Sequence, residues 1–230
     1  MNDEPALIVF ARNPVPGKTK TRLIPALGPE RAAELYRCFL LDTLGRAAGS
    51  PAAVTVAVAD AADLDDLRVP VAEACPGARI TAQSGADLGE RMSNAFRDAL
   101  AEGHPCAVIL GSDAPSLCFD RVSEALTLAR QADLVLGPCL DGGYYLIGLH
   151  VVMPVLFQNI AWGSPSVLID TLQAAKATGC FVSLLEPWYD VDTPQDLAAL
   201  CTHLTALSLT GQEIPCPRTW RCIQELAMRE

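Results

Sequence analysis

Residues 10–23 read Phe10-Ala11-Arg12-Asn13-Pro14-Val15-Pro16-Gly17-Lys18-Thr19-Lys20-Thr21-Arg22-Leu23. They follow an apolar run, Ala6 to Phe10, that reads as a first β-strand. Pro16-Gly17 suits the two centre positions of a type II turn, because Pro fixes φ and Gly accepts φ > 0. Lys18, Lys20 and Arg22 then alternate. In an extended backbone, residues two apart point to one side, so three cations would face one place, with Thr19 and Thr21 opposite. A chain of formal net charge −10 gathers Arg12, Lys18, Lys20 and Arg22 within eleven residues. A small polyanion such as a nucleotide diphosphate is the natural partner; a solvated basic loop is the plain alternative. Gly17-Lys18-Thr19 imitates the end of a P-loop, but Arg12 stands where that motif needs its first glycine, and Pro25 interrupts the following helix.

The 230 residues, half of them hydrophobic, suit one α/β domain over about 1–208 and a C-terminal tail, 209–230, with one terminal helix. No apolar run is long enough for a transmembrane helix. The acidic start Met1-Asn2-Asp3-Glu4 does not read as a signal peptide. Nine cysteines without a Cys-x-x-Cys spacing read as reduced thiols in a cytoplasmic protein, used as small hydrophobes. Three histidines, none beside a paired cysteine, argue against a zinc site. The acidic balance argues against nucleic acid as a partner.

Along the chain, apolar runs alternate with helical patterns. Strands are expected at Ala6–Phe10, Val54–Ala59, Arg79–Ala82, Cys106–Leu110, Leu134–Leu136, Tyr144–Leu149 and Phe181–Leu185. Helices are expected from Pro29 to about Gly49, within Asp60–Ala74, from Leu88, over Asp120–Gln131, within Pro154–Gln158, from Ser164-Pro165, after Thr193 and over Arg218–Met228. Asp87 and Glu90 have capping-box spacing, as do Thr193 and Asp196. The alternation predicts a mostly parallel central sheet covered on both faces, a three-layer α/β/α sandwich. Ligands in such sheets bind beyond the carboxyl ends of the strands. The basic loop, Gln83, Asp113 and the Asp190-Val191-Asp192 segment all follow strands and should crowd one edge.

Asp113 leaves the buried Cys106–Leu110 strand through Gly111-Ser112. With Asp192 it is placed to hold Mg²⁺ or Mn²⁺ on phosphate oxygens; a turn or cap is the structural alternative for Asp113. Asp141-Gly142-Gly143 reads either as a hairpin turn or as bare backbone admitting a sugar or phosphate, with Asp141 as a base. Arg91 reads as a phosphate ligand or a solvated side chain. Trp162 reads as the wall of an acceptor pocket or as packing. His104, His150 and His203 stand in no constellation.

Taken together, Phe10-Ala11-x-x-Pro14-x-Pro16-Gly17-x-x-Lys20-Thr21-Arg22-Leu23, Asp87-Leu88-Gly89-Glu90-Arg91-Met92, Gly111-Ser112-Asp113-x-Pro115, Leu136-Gly137-Pro138-x-x-Asp141-Gly142-Gly143-Tyr144-Tyr145-Leu146 and Asp190-Val191-Asp192-Thr193-Pro194-x-Asp196-Leu197 resemble the bacterial radical-SAM/selenodomain-associated glycosyltransferases. The resemblance spans about residues 6–200. It implies a GT-A-like, Rossmann-related nucleotide-diphospho-sugar transferase using Mg²⁺ or Mn²⁺ at Asp113 and Asp192. Ala11, Arg12, Gly17, Lys18, Lys20, Arg22, Gln83 and Arg91 would hold the nucleotide diphosphate. Asp113, Asp141 and Lys20 would be catalytic, and Gly142, Gly143 and Trp162 would meet the sugar or a small acceptor of unknown identity. Two departures stand out. Ser112-Asp113-Ala114-Pro115 has one Asp where GT-A transferases carry Asp-x-Asp. Lys20-Thr21-Arg22-Leu23 and the Asp192-Thr193-Pro194-x-Asp196-Leu197 ending are also similar to small nucleotidyltransferases, such as 2-phospholactate and molybdenum-cofactor guanylyltransferases. Nucleotidyl transfer to a small phosphorylated acceptor is therefore the alternative, and a binding module without turnover is a third reading. The oligomeric state stays open, a homodimer included.

Overall fold

The computed structural model describes residues 3–228; Met1 and Asn2, the start of the acidic N-terminal reading, lie outside the described residues. The strands are β1 (Ala6–Ala11), β2 (Ala53–Val58), β3 (Arg79–Ala82), β4 (Ala107–Gly111), β5 (Leu134–Pro138), β6 (Tyr144–Leu149) and β7 (Val182–Leu184). The α-helices are α1 (Ile24–Leu27), α2 (Pro29–Ala47), α3 (Leu64–Ala74), α4 (Leu88–Ala101), α5 (Asp120–Leu128), α6 (Val167–Thr178), α7 (Pro194–Leu209) and α8 (Pro217–Ala227). One sheet runs in the order β3-β2-β1-β4-β6-β5-β7. All neighbours are parallel except β6, which is antiparallel to both β4 and β5. The expected mostly parallel sheet is thus present. The reversal at β6 brings its first residue, Tyr144, to the edge where the parallel strands end.

Why the sheet is buried on both faces follows from its central strands. β1, β4 and β5 are apolar at nearly every position and almost entirely inaccessible, the pattern of a sheet sandwiched between helices. Leu7, Val9, Val108 and Leu110 point to one side and pack with Leu40, Leu44, Val122 and Leu126 of α2 and α5. Ile8, Ile109, Leu136 and Ile147 point to the other and pack with Met92 and Phe96 of α4. A third cluster joins Leu35 and Phe39 of α2 to Leu200 and Leu204 of α7 and to Cys216 and Ile223.

Local contacts set the element boundaries. Within the expected Asp60–Ala74 segment, α3 runs through Pro70; burial of Leu67 and Val71 offsets the lost backbone bond. α6 starts at Val167, not at Ser164-Pro165, because Ser166 takes the cap position and the Gly142 carbonyl accepts the Leu168 N–H at 2.9 Å. The Thr193/Asp196 capping box of α7 is complete. At α4 the box is offset: Asp87 accepts the Glu90 N–H at 2.8 Å, but Glu90 reaches the Ala86 N–H.

The C-terminal helix docks on α2 through a contact between residues far apart in sequence. Asp42 is buried, and its carboxylate accepts the N–H of Thr219 at 2.8 Å and of Arg218 at 3.2 Å. It therefore caps the first turn of α8, where backbone donors lack helical partners, and the Arg218 guanidinium stands 3.5 Å away. Replacing Asp42 with Ala should cost about 1.5–3 kcal/mol, the range for hydrogen bonds to a charged group. Urea unfolding of the full chain measures this; a loss below about 0.5 kcal/mol would show that α8 docks without the cap.

Candidate functional site

The carboxyl ends of β1 and β4, the start of β6 and the segment after β7 surround a cleft of about 650 Å³. Its form begins with the basic loop. Lys18 N–H bonds the Val15 carbonyl at 3.1 Å, and Gly17 has φ +79°, so Pro16-Gly17 forms the expected turn. Beyond it the chain is not extended. Lys20 takes a left-handed conformation, φ 49°, and a short 3-10 turn over Thr21–Leu23 leads into α1. The strand-like alternation of Lys18, Lys20 and Arg22 is therefore corrected: a turn and a left-handed residue wind the chain, so Lys20 turns inward, while the exposed Arg22 stands 4.0 Å from Asp192 Oδ2. Lys18 and Arg22 stay exposed. Thr19 turns inward and donates to the Asn13 carbonyl at 2.8 Å. A left-handed backbone at a non-glycine costs roughly 1–2 kcal/mol; here it aims the Lys20 side chain into the protein.

The Lys20 ammonium ends 2.5 Å from Asp113 Oδ1 and 2.7 Å from Asp192 Oδ1, with its own side chain 5% exposed. The rings of Tyr36 and Phe39 each lie 5.8 Å from it. Burial alone would lower the lysine pKa, but Asp113 and Asp192 outweigh it and hold the group above the ordinary lysine range. Tyr36 completes the floor. Its hydroxyl accepts the Arg12 N–H at 2.9 Å and shares a proton with Ser112 Oγ at 2.8 Å. Burial, then the nearby Asp113 charge, push the phenol up to about 12.

The two acidic segments are fastened to each other as well. Val191 N–H bonds the Asp113 carbonyl at 2.9 Å. Ser116 Oγ donates to Tyr189 Oη at 2.9 Å and accepts from Trp188 Nε1 at 3.3 Å, and Tyr189 Oη meets His203 Nδ1 at 2.7 Å. His203, which has no role in the sequence reading, thus belongs to a network that fixes the segment carrying Asp190 and Asp192. Only three-dimensional proximity reveals it, since Ser116 and Tyr189 are 73 positions apart.

Of the residues singled out in the sequence, Ala11, Arg12, Lys18, Lys20, Arg22, Gln83, Arg91, Asp113 and Asp192 all line this cleft. Among the described residues, Arg12, Lys18 and Arg91 have no ion-pair partner. Gln83 donates its amide to the Ala57 carbonyl at 2.8 Å, and Arg91 Nε donates to the Gly85 carbonyl at 3.3 Å. Gly17, Asp141, Gly142, Gly143 and Trp162 lie outside the lining. Asp141-Gly142-Gly143 forms the β5–β6 hairpin, where Asp141 Oδ1 accepts the Gly143 N–H at 2.9 Å. The bare face of Gly142 is not open: a Cβ there would meet the Pro165 carbonyl oxygen at 2.1 Å. Trp162 packs on Gly89 of α4, where an added Cβ would stand 2.8 Å from the indole.

Asp190 also lines the cleft, although the sequence reading favours Asp192 alone as a ligand. Val191 between them is fully buried, so the two aspartates share the opposite side, as the spacing predicts. Burial, then repulsion from Asp113 and Asp141, raise the Asp190 carboxyl from 3.8 to about 7, against the pull of Lys20.

The comparisons with known proteins agree with this architecture. The family described as uncharacterized protein conserved in bacteria (DUF2064) matches residues 40–164, more than half of the chain. The chain belongs to this family. A crystal structure from Desulfovibrio desulfuricans G20, provisionally named a nucleotide-diphospho-sugar transferase, is 33% identical with TM-score 0.87, covering 97% of this chain and 95% of that one. At 12% identity, where the likeness concerns the fold alone, stand two cytidylyl enzymes. One is 4-diphosphocytidyl-2C-methyl-D-erythritol synthase of Anaerococcus prevotii, with TM-score 0.60 and coverage of 88% and 96%. The other is a CMP:2-keto-3-deoxy-manno-octonic acid synthetase complexed with CTP, with TM-score 0.54 and coverage of 90% and 100%. No curated protein matches the chain. Among the described residues, no helix is long and apolar enough to cross a membrane.

Two outcomes follow from the buried charges. Lys20→Met removes the cation shared by Asp113 and Asp192. Breaking a buried pair costs about 3–5 kcal/mol, but both acids are 42% exposed and water screens part of this; a loss of about 1–3 kcal/mol in denaturant unfolding is expected, and no loss would contradict the arrangement. The second concerns Asp190. Its folded carboxyl binds a proton more tightly than its unfolded one, so its contribution makes stability fall as pH rises from 3.8 to about 7 and level off above. In metal-free buffer Asp190→Asn should be more stable than the parent at pH 8 by about 1–3 kcal/mol, with the gap closing at pH 4.5. Parallel pH profiles for the two proteins would contradict it.

Proposed function

We propose that the protein is a transferase that binds a nucleoside-diphosphate sugar in this cleft and passes the sugar to a small acceptor. The observation that carries the reading is the set of side chains around the cleft mouth. Arg12, Lys18 and Arg91 line it and, among the described residues, pair with no carboxylate; Asp113 and Asp192 line the same cleft. Unpaired guanidinium and ammonium groups at strand ends suit a diphosphate, whose charge grows as the glycosyl bond breaks. Lys20 acts differently. Already neutralised by two aspartates, it holds the acidic segments at a fixed separation. The provisional name of the D. desulfuricans relative supports the same reading. The narrower assignment, to radical-SAM/selenodomain-associated glycosyltransferases, rests on the motifs alone.

The donor set suits Mg²⁺ or Mn²⁺, which take hard oxygen ligands and commonly use one or two carboxylates plus substrate phosphates. Asp113 and Asp192 would hold it through the oxygens that Lys20 does not engage. When bound, the ion supplies charge neutralisation on the diphosphate. The protein's own part is positional: the Ser116–Tyr189–His203 network and the Val191–Asp113 bond keep the two carboxylates converged before any ligand arrives.

A second reading is nucleotidyl transfer to a small phosphorylated acceptor, with pyrophosphate leaving. It is favoured by the lone Asp113, followed by Ala114-Pro115 where a GT-A transferase has its second acid. A thermal-shift panel of NTPs and UDP-, GDP- and dTDP-sugars, with and without Mn²⁺, separates them. A ligand at 100 times its Kd adds about 2.7 kcal/mol, or roughly 5–10 °C for a chain of this size. The first reading expects that shift from a nucleotide sugar with Mn²⁺ and its loss in Asp113→Asn. A shift from an NTP alone, followed by pyrophosphate release with a phosphorylated acceptor, would transfer the assignment to the second. No shift with any nucleotide would overturn both.

A further inference from the structure

α8 lies antiparallel against α2, and the contacts between them fix the register of the pair. Gly45 of α2 faces Arg218: a Cβ added at Gly45 would stand 3.5 Å from Arg218 Nη1. One turn earlier on α2, the Leu41 carbonyl accepts from the Arg218 guanidinium at 3.4 Å, and Asp42 accepts the N–H of Arg218 at 3.2 Å and of Thr219 at 2.8 Å. Positions falling along α2 therefore match positions rising along α8. Helical residues four apart share a face. Stepping four residues from the Asp42–Arg218 contact reaches Cys38 on one helix and Cys222 on the other, so the register brings two cysteines face to face.

The two thiols differ in the way that a reactive pair requires. Both are reduced, Cys38 buried and Cys222 half-buried. Hydrogen bonding with Cys222 raises the Cys38 thiol above its ordinary range, and burial raises it further. The same hydrogen bond lowers Cys222, with burial and then Glu34 and Glu225 opposing more weakly. The thiolate therefore resides on Cys222, the sulfur that solvent can reach, with a second sulfur as its partner. An accessible cysteine of lowered pKa beside a resolving cysteine is the arrangement of redox-sensitive thiols. Service as a small hydrophobe explains either residue alone, but not two cysteines at one register position of facing helices with their sulfurs paired.

We propose that Cys38 and Cys222 form a reversible intrachain disulfide that staples α8 to α2, by exchange with low-molecular-weight disulfides of the glutathione type. The Cys222 thiolate attacks one sulfur of the small disulfide and expels a small thiolate. Cys38 then gives up its proton, and its sulfur attacks the Cys222 sulfur of the mixed disulfide, expelling the second small thiolate. Two protein thiols are oxidised, and one small disulfide is reduced to two thiols that carry away both protons. The bond joins positions 184 residues apart. Its place matters to the cleft. Tyr36 and Phe39, whose rings each lie 5.8 Å from the Lys20 ammonium, flank Cys38 on α2, and α7, which leads into α8, begins two residues after Asp192. The staple thus ties the floor of the cleft to the helices that follow its acidic segment.

The test uses the full chain without nucleotide, so that its outcome is separate from the diphosphate reading. The reduced protein is equilibrated with excess glutathione disulfide, quenched in acid, alkylated in denaturant and digested without reduction for mass spectrometry. Peptides linked through Cys38 and Cys222 should appear and should vanish after dithiothreitol. The oxidised protein should melt about 5–15 °C above the reduced one, since the bond closes a long loop of the unfolded chain. Cys38→Ala should halt at a mixed disulfide on Cys222, and Cys222→Ser should leave Cys38 reduced. Cys118→Ser, an exposed thiol elsewhere, should keep the linked peptides. Circular dichroism confirms that each variant is folded. Cys38 and Cys222 both open to alkylation after oxidation, either one bonded to a different cysteine, or an oxidised protein that melts no higher than the reduced one would overturn the staple.

Discussion

The cleft depends on one buried cation. Lys20 sits between Asp113 and Asp192, which come from sequence positions 79 residues apart and from the ends of different strands. Two carboxylates converging beyond a sheet repel each other, and the low dielectric around Tyr36 and Phe39 strengthens that repulsion. The ammonium reverses its sign. Everything around the site serves to keep that ammonium in place: the left-handed backbone at Lys20, the Tyr36 hydroxyl bonded to both Arg12 and Ser112, and the apolar contact of α2 beneath. The remaining cations of the loop are left to face solvent, where they can meet a ligand.

This division of labour among like charges is what separates a binding site from a basic patch. Lys20 has its charge satisfied inside the protein and so contributes order. Arg12, Lys18 and Arg91 have no ion pair among the described residues and so contribute attraction. In a chain with net charge −10 the local field at the cleft mouth is set by these few groups, because distant surface charge is screened within about 10 Å at ordinary salt. The aspartates of the segment after β7 divide in turn: Asp192 pairs with Lys20 and stands 4.0 Å from Arg22, whereas among the described residues no donor reaches the Asp190 carboxylate.

Most of the fold was legible because buried strands announce themselves. The continuous apolar runs at β1 and β4 and the capping residues before α4 and α7 each rest on short-range rules. The cleft residues at strand ends, among them Lys20, Gln83, Asp113 and Asp192, share one edge by a single topological rule, whereas Arg91 joins them from the first turn of α4. What could not be read depends on contacts between distant segments. The direction of Lys20 required knowing that the chain winds after Gly17; alternation was the wrong period for a turn. The bare backbone at Gly142 looked like room for a ligand, but the Pro165 backbone fills it. Asp42 capping α8, His203 holding Tyr189, and Cys38 meeting Cys222 pair residues that lie apart in sequence, and no local pattern marks them.

The most direct measurement is a crystal structure of the protein soaked with a nucleoside diphosphate and Mn²⁺, with anomalous scattering used to find the metal. The account predicts a diphosphate bridging Arg12, Lys18 and Arg91, with the manganese peak against carboxylate oxygens of Asp113 and Asp192 and Lys20 still between those acids. A diphosphate bound elsewhere, or bound in the cleft with Lys20 swung away from both aspartates to contact it, would contradict the account.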